Sequence, residues 1–317
     1  MSIHSVTDQL NLLFLKGGVC KMNQIGPILI LEGANFSKVP YSRSLYLNCS
    51  EKVLIDTGAE ARILQNLNLE HGVQLIINTH YHPDHTLHNH LFKNATKLIN
   101  QIEFETSLTI EGVASVNGVF QEWGQEGVEN WKATLPQKWV KNLGEISGAY
   151  DYEAIYQFGD IKVQFLHTPG HTSGLSCPYF PELGIVFTGD YDMTSFGPWY
   201  NGTDGDIDDF IASGKRLLTL DADTYITGHQ KGIFTKQKFF QAMDRFLEKI
   251  EQRDELVTRY VQQGMNFDEL TNVGIFYPKK SLENTILKTW ERSGVRKHLN
   301  RLGYEVMGME CQLVKIK

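Results

Sequence analysis

Cysteine, proline and long apolar runs are all scarce in this chain. Its 317 residues include 4 Cys and 9 Pro. Cys20, Cys49, Cys177 and Cys311 lie far apart, with no CxxC pair. That excludes a disulfide framework and reads as reduced thiols in a cytoplasmic protein. No apolar run approaches the roughly 20 residues of a membrane-spanning helix. The longest N-terminal stretch, Leu10 to Leu15, is short and is interrupted by Asn11. Asp8 rather than a basic segment precedes it, so it does not read as a secretory signal. Positive charge is also in deficit: 30 Lys+Arg against 37 Asp+Glu give −7. This argues against a general binder of nucleic acid or anionic membranes. What remains, 41% hydrophobic and 21% charged residues with 28 Gly, is the make-up of a globular protein. The length suits one large domain, or one domain with an appendage.

The first hundred residues alternate short apolar runs with turn signals. Leu12–Leu15, Pro27–Leu31, Ser44–Leu47 and Lys52–Ile55 are strand-length and follow one another without helical spacing. They predict an antiparallel meander. Ala59–Leu69 then carries Ile63, Leu64 and Leu67 at helical spacing, and Gln74–Asn78 is another apolar strand. From Asp84 the chain is expected to enter a helix. Residues 101–152, rich in Gly, Glu, Gln and Trp, read as a helical insertion or lid. Strands resume at Ala154–Phe158, Ile161–Leu166 and Gly184–Thr188. A helix is predicted over Ile207–Leu218 and a last strand over Thr224–Thr227. From 235 onward the pattern is helical, with Phe239, Met243, Phe246, Leu247 and Ile250 at spacings of three and four. Residues 235–317 hold 15 Lys+Arg and 11 Asp+Glu, or +4, which leaves −11 on the rest. The sign change supports a C-terminal helical module, 235–317, behind a catalytic domain, 1–234.

The strongest chemical signal is His80-Tyr81-His82-Pro83-Asp84-His85. His80 and His82 follow an apolar strand, and residues two apart on an extended chain face the same side. Two imidazoles can therefore face one ion. Pro83 turns the chain, and Asp84 and His85 can then point to a second ion beside the first. His and Asp are ligands for zinc, iron or manganese. Three further candidates each end an apolar strand: His171 in Pro169-Gly170-His171, Asp190 in Thr188-Gly189-Asp190, and His229 in Thr227-Gly228-His229. Each alone is an ordinary turn. In this order behind HxHxDH they form a pattern.

That pattern resembles the metallo-β-lactamase-fold hydrolase superfamily. Ile55-Asp56-Thr57-Gly58 matches its first motif, and the resemblance covers residues from about 10 to 235. It implies an α/β fold, a four-layered αββα sandwich with a helical C-terminal appendage. It assigns His80, His82 and His171 to one metal ion and Asp84, His85 and His229 to a second, with Asp190 bridging. Asp56 would hold a ligand imidazole in its tautomer. Asp84, Asp190 and Asp56 are thus the residues implicated in catalysis. The implied cofactor is two divalent ions, zinc first, with iron or manganese accepted. A hydroxide between them would be the nucleophile.

The departures narrow the class. No Cys stands at Asp190, which argues against antibiotic hydrolysis. His82 is not the Glu of the oxygen-reducing diiron branch. Only 38 residues separate Asp190 from His229, too few for the extra domain of the nucleic-acid-processing branch. His88, His90 and His167 are extra. Tyr191 and Tyr200 are candidates to assist catalysis from a pocket that also includes Trp199. The expected substrate is a small ester, lactone or thioester, with no DNA and no membrane partner. RNA cleavage guided by Lys279, Lys280, Arg296 and Lys297 is the second choice, and a non-catalytic metal-binding sensor the third. A homodimer is compatible with the sequence.

Overall fold

A computed structural model describes residues 10–15, 18–307 and 311–316. Its first sheet has eight strands in sequence order: β1 (Leu10–Leu15), β2 (Gly18–Ile25), β3 (Ile28–Leu31), β4 (Ser44–Leu47), β5 (Val53–Ile55), β6 (Leu75–Ile77), β7 (Thr96–Asn100) and β8 (Gly148–Tyr150). Strands β1 to β5 pair antiparallel, so the predicted meander is present. The pairs from β5 to β8 are parallel. The second sheet contains β9 (Ile155–Phe158), β10 (Ile161–His167), β11 (Ser176–Phe180), β12 (Ile185–Gly189), β13 (Thr224–Thr227) and β14 (Ile233–Thr235).

The strands read as unbroken apolar runs because both faces of each sheet are covered. Ile28, Ile30, Val53, Ile55 and Ile77 point between the sheets and meet Val163, Phe165, Phe187 and Ile226. The alternate residues Leu29, Leu31, Leu54 and Ile76 point outward onto Ile63, Leu64 and Leu67 of the helix Ala61–Glu70. The outer face of the second sheet, with Val186 and Tyr225, is covered by the helices Ile207–Leu217 and Lys236–Gln262. This is the four-layered αββα sandwich, carrying a helical C-terminal region.

Between β7 and β8 the chain forms the helices Ile110–Val116, Val119–Thr134 and Gln137–Lys141. Trp131 and Trp139 bury against Tyr81 and Leu87, beside the histidine motif. The C-terminal helix Thr285–Arg301 runs through Gly294 without a break. Gly294 sits in its middle because a Cβ there would lie 2.5 Å from the Phe276 ring. The glycine admits a neighbour and does not break the helix.

Candidate metal centre

Four strand ends deliver the chemistry to one edge. Strands β12 and β13 are parallel, and β10 runs the same way because β11 is antiparallel to both its neighbours. Their C-terminal ends therefore share an edge, and His171, Asp190 and His229 follow them. From the other sheet, β6 ends at Ile77, and His80 and His82 stand in the loop beyond it, not on the strand itself. Pro83 opens a single helical turn, Pro83–Thr86, that carries Asp84 and His85. The predicted helix after Asp84 is only this turn.

The side chains form two adjoining clusters. Ligand atoms of His80, His82, His171 and Asp190 lie within 4.8 Å of one another, as do those of Asp84, His85 and His229. His82 Nδ1 is 2.8 Å from His171 Nε2. Asp190 links the clusters: Oδ2 is 3.1 Å from His171 Nε2, and Oδ1 is 2.8 Å from His85 Nε2 and 3.6 Å from His229 Nε2.

A second layer fixes the imidazoles. Asp56 is fully buried with φ of +58°, an uncommon conformation for a non-glycine residue. Its Oδ2 accepts from His85 Nδ1 at 2.7 Å, which turns His85 Nε2 toward the cluster. Thr79 holds the carboxyl through its backbone N–H and hydroxyl, each at 2.8 Å. Gly58 of the same motif has no room for a Cβ, which would meet Asp84 O and Ser42 Oγ at 2.0 Å. His229 Nδ1 donates to the carbonyls of Ser37 and Tyr41, at 2.9 and 3.0 Å. His171 Nδ1 donates to Trp199 O at 2.9 Å. His85, His229 and His171 thus each spend one nitrogen on a fixed acceptor and offer the other to their cluster.

This donor set fits a divalent cation. His80 Nε2 and His82 Nε2 are buried and make no hydrogen bond within the protein, although buried polar atoms ordinarily find partners. Burial, followed by neighbouring imidazoles, holds His80 and His82 well below the usual histidine range, so both are neutral and able to bind metal. Burial lowers His171 too, against the pull of Asp190. For His229 burial works downward, but Asp190 and Asp84 outweigh it and raise the ring to about 9. His85 is raised by Asp190 and Asp56 in the same way. Burial alone would raise Asp190; His171, His85 and His229 hold it well below the carboxylate range.

Other sequence candidates fall elsewhere. Tyr191 is fully buried and donates to Pro169 O and Phe210 O. Tyr200 meets His298 Nε2 at 2.8 Å and accepts from Arg253 Nη1 at 3.0 Å, in the core under the C-terminal helices. Neither hydroxyl is offered to the clusters, which corrects the expectation that they line the pocket. Trp199 does line it, with its ring 5.3 Å from those of His82 and His171. His88 contacts Thr57 O and His167 contacts Ser173 O; His90 borders a separate cavity with Trp139 and Glu145. Sequence reasoning missed the carbonyls of Ser37, Tyr41 and Trp199, which no side-chain motif can announce. It also missed Glu103, one acid among 37 acidic residues.

Comparison with known proteins agrees with this geometry. An uncharacterized protein of Aquifex aeolicus is 28% identical over 214 residues, 67% of this chain and 89% of its own length. A hydroxyacylglutathione hydrolase of Bartonella henselae is 28% identical over 124 residues, 38% of this chain and 47% of its own, so the chain spans about half of that relative. The crystal structure of a metallo-beta-lactamase family protein from Thermus thermophilus superposes with a TM-score of 0.61 at 18% identity, over 92% of this chain and 99% of that one. A family model matches residues 41–102 and 142–229, two stretches that contain all seven clustered residues and leave the helices between β7 and β8 outside. With motif, fold and site in agreement, the chain belongs to the metallo-beta-lactamase superfamily and is a hydrolase of that fold.

Proposed function

We propose that this hydrolase is dinuclear and acts on a small ester, lactone or thioester. The observation that carries this reading is the convergence of seven ligand side chains into two clusters that meet at Asp190. His80, His82 and His171 would hold one ion, Asp84, His85 and His229 the other, and Asp190 both. These N and O donors suit zinc first, with iron or manganese accepted. Bound there, the ions supply Lewis-acid polarisation of a carbonyl and a water of lowered pKa.

The chain's own residues set the rest. Asp190 is kept ionised between the two groups of imidazoles. Asp84 and Asp190 have side chains 14% and 12% exposed, while His85, His171 and His229 are at 3% or less. Substrate therefore approaches past the two carboxylates. Trp199 gives that approach an aromatic wall, fixed by its N–H to Tyr277 Oη at 2.8 Å and by Trp290 packed edge-on. Such a wall suits an organic acyl or leaving group. The Bartonella relative is named for hydrolysis of a glutathione thioester, which supports the thioester among the three substrates.

An RNA-cleaving alternative calls on four basic residues, two of which are engaged within the protein. Arg296 lies over the Phe267 ring and Lys297 donates to Gly205 O. Lys279 and Lys280 are the exposed pair. The same reading places the chain in the cytoplasm and keeps residues 1–234 as catalytic domain and 235–317 as helical module. Among the described residues no helix is long and apolar enough to cross a membrane. The test is elemental analysis together with an unbiased panel of esters, lactones, thioesters and phosphodiesters. Two ions per chain and turnover of a small carbonyl substrate are expected. One ion or fewer after metal is supplied, or cleavage confined to phosphodiesters, refutes the reading.

A further inference from the structure

Glu103 is a buried acid that the site as described leaves without a task. It sits in the turn after β7, 1% exposed, and burial pushes its carboxyl up to about 8. An unpaired buried carboxyl is costly, and an apolar residue would pack there more cheaply. What an apolar residue cannot do is accept four hydrogen bonds. Oε2 accepts from Tyr81 N at 2.9 Å and from Asn100 Nδ2 at 3.0 Å. Oε1 accepts from Gly174 N at 3.1 Å and from the Thr172 hydroxyl.

The donors explain the position. Tyr81 lies between His80 and His82, and Thr172 follows His171. Glu103 therefore ties the histidine loop beyond β6 in one sheet to the histidine loop beyond β10 in the other. Asp204 repeats the tie: Oδ1 accepts from Tyr81 Oη and Oδ2 from Ser173 N, both at 3.3 Å. The other cluster hangs from different supports, Asp56 and the carbonyls of Ser37 and Tyr41.

We infer that Glu103 is a positioning residue for the three-histidine cluster, setting the separation of His80 and His82 from His171 and so the affinity of that site alone. The inference rests on the metal-binding reading above. Its test is Glu103→Gln above pH 8, where the wild-type carboxyl is ionised and only accepts, while the variant keeps the shape but turns an N–H toward groups that themselves donate. Cobalt(II) titration of the metal-free protein, followed by visible absorption, reads each site. Single-site references His80→Ala and His229→Ala assign the ions to their clusters.

Glu103→Gln is expected to lose roughly 10–100-fold in affinity at the three-histidine site, with the other site unchanged. Thr172→Val, which removes one donor and keeps the acid, should shift the same site in the same direction by less. If Glu103→Gln does not fold, Thr172→Val decides. Equal weakening of both sites, or an unchanged three-histidine site in a folded variant, overturns the inference. A wild type that binds one ion, at the three-histidine cluster, overturns the dinuclear reading alone. A wild type that leaves that cluster empty overturns both.

Discussion

At the scale of single residues, the two buried aspartates differ in kind. Asp190 stands between both clusters, facing His85 Nε2 at 2.8 Å and His171 Nε2 at 3.1 Å. Asp190→Ala removes the one carboxylate shared by both clusters. Activity should vanish and at least one ion should be lost, as elemental analysis of the purified variant would read. Asp56 touches only the far nitrogen of His85 and the Thr79 donors. Asp56→Asn keeps its volume and one acceptor, so a loss of roughly 10–100-fold in metal affinity or activity is expected. Complete and equal metal loss in the two variants would show that Asp56 is more than a support. The seven clustered residues were legible in the sequence because each carries its chemistry in its own side chain, at a strand end. The acceptors behind them were not, because Ser37, Tyr41 and Trp199 act through backbone carbonyls that any residue possesses.

At the scale of elements, packing explains which parts of the fold could be read. Strands β3 to β6 show as apolar runs because helices and the opposite sheet cover both faces. Strand β11 was unreadable: Pro178 lies inside it, paired with Phe165, where proline normally argues against a strand. Strand β8, Gly148–Tyr150, is a three-residue edge with no pattern to detect. The segment 196–200 depends on the C-terminal helices, a dependence invisible to local pattern. Arg253 is buried and donates to Pro198 O and Phe196 O, each at 2.7 Å, with its guanidinium 4.3 Å from the Phe276 ring. Arg253→Met would strand two carbonyls, each at a cost of roughly 1–3 kcal/mol. The expected result is a lowered Tm together with a raised KM, since Trp199 sits on that segment. Trp199→Ala should raise KM as well and also lower Tm, because it empties the space beside Trp290 and leaves Tyr277 Oη without its donor. A normal KM in Arg253→Met would detach the C-terminal helices from the substrate wall. Gly294→Ala gains about 1 kcal/mol of helix propensity but drives a Cβ into Phe276, an overpacking cost of about 1–3 kcal/mol. Thermal melting should show the loss.

At the scale of the whole molecule, the same histidines give stability opposite pH slopes with and without metal. In the metal-free protein His229 is raised from 6.5 to about 9, and Glu103 from 4.5 to about 8. A group raised on folding contributes stability that is fully present below its unfolded pKa and lost as pH climbs through the folded one. His229 thus withdraws stability between about pH 6.5 and 9, and Glu103 between about 4.5 and 8. His85 is raised as well and acts with the same sign. His80, His82 and His171 are lowered, so their effect rises up to the unfolded value of 6.5 and is constant above it. Above pH 6.5 every one of these shifts that still changes acts downward, and Tm in the presence of chelator should fall toward pH 9. Metal reverses the slope. An ion must displace the proton from His229 and His85, so affinity grows with pH over the same window, and binding to the native state adds to its stability. Melting curves between pH 6.5 and 9, with chelator and with saturating zinc, should diverge steadily. Parallel curves would mean that the ions, if bound, do not replace the protons on these rings, and the assignment of His85 and His229 as ligands would fall.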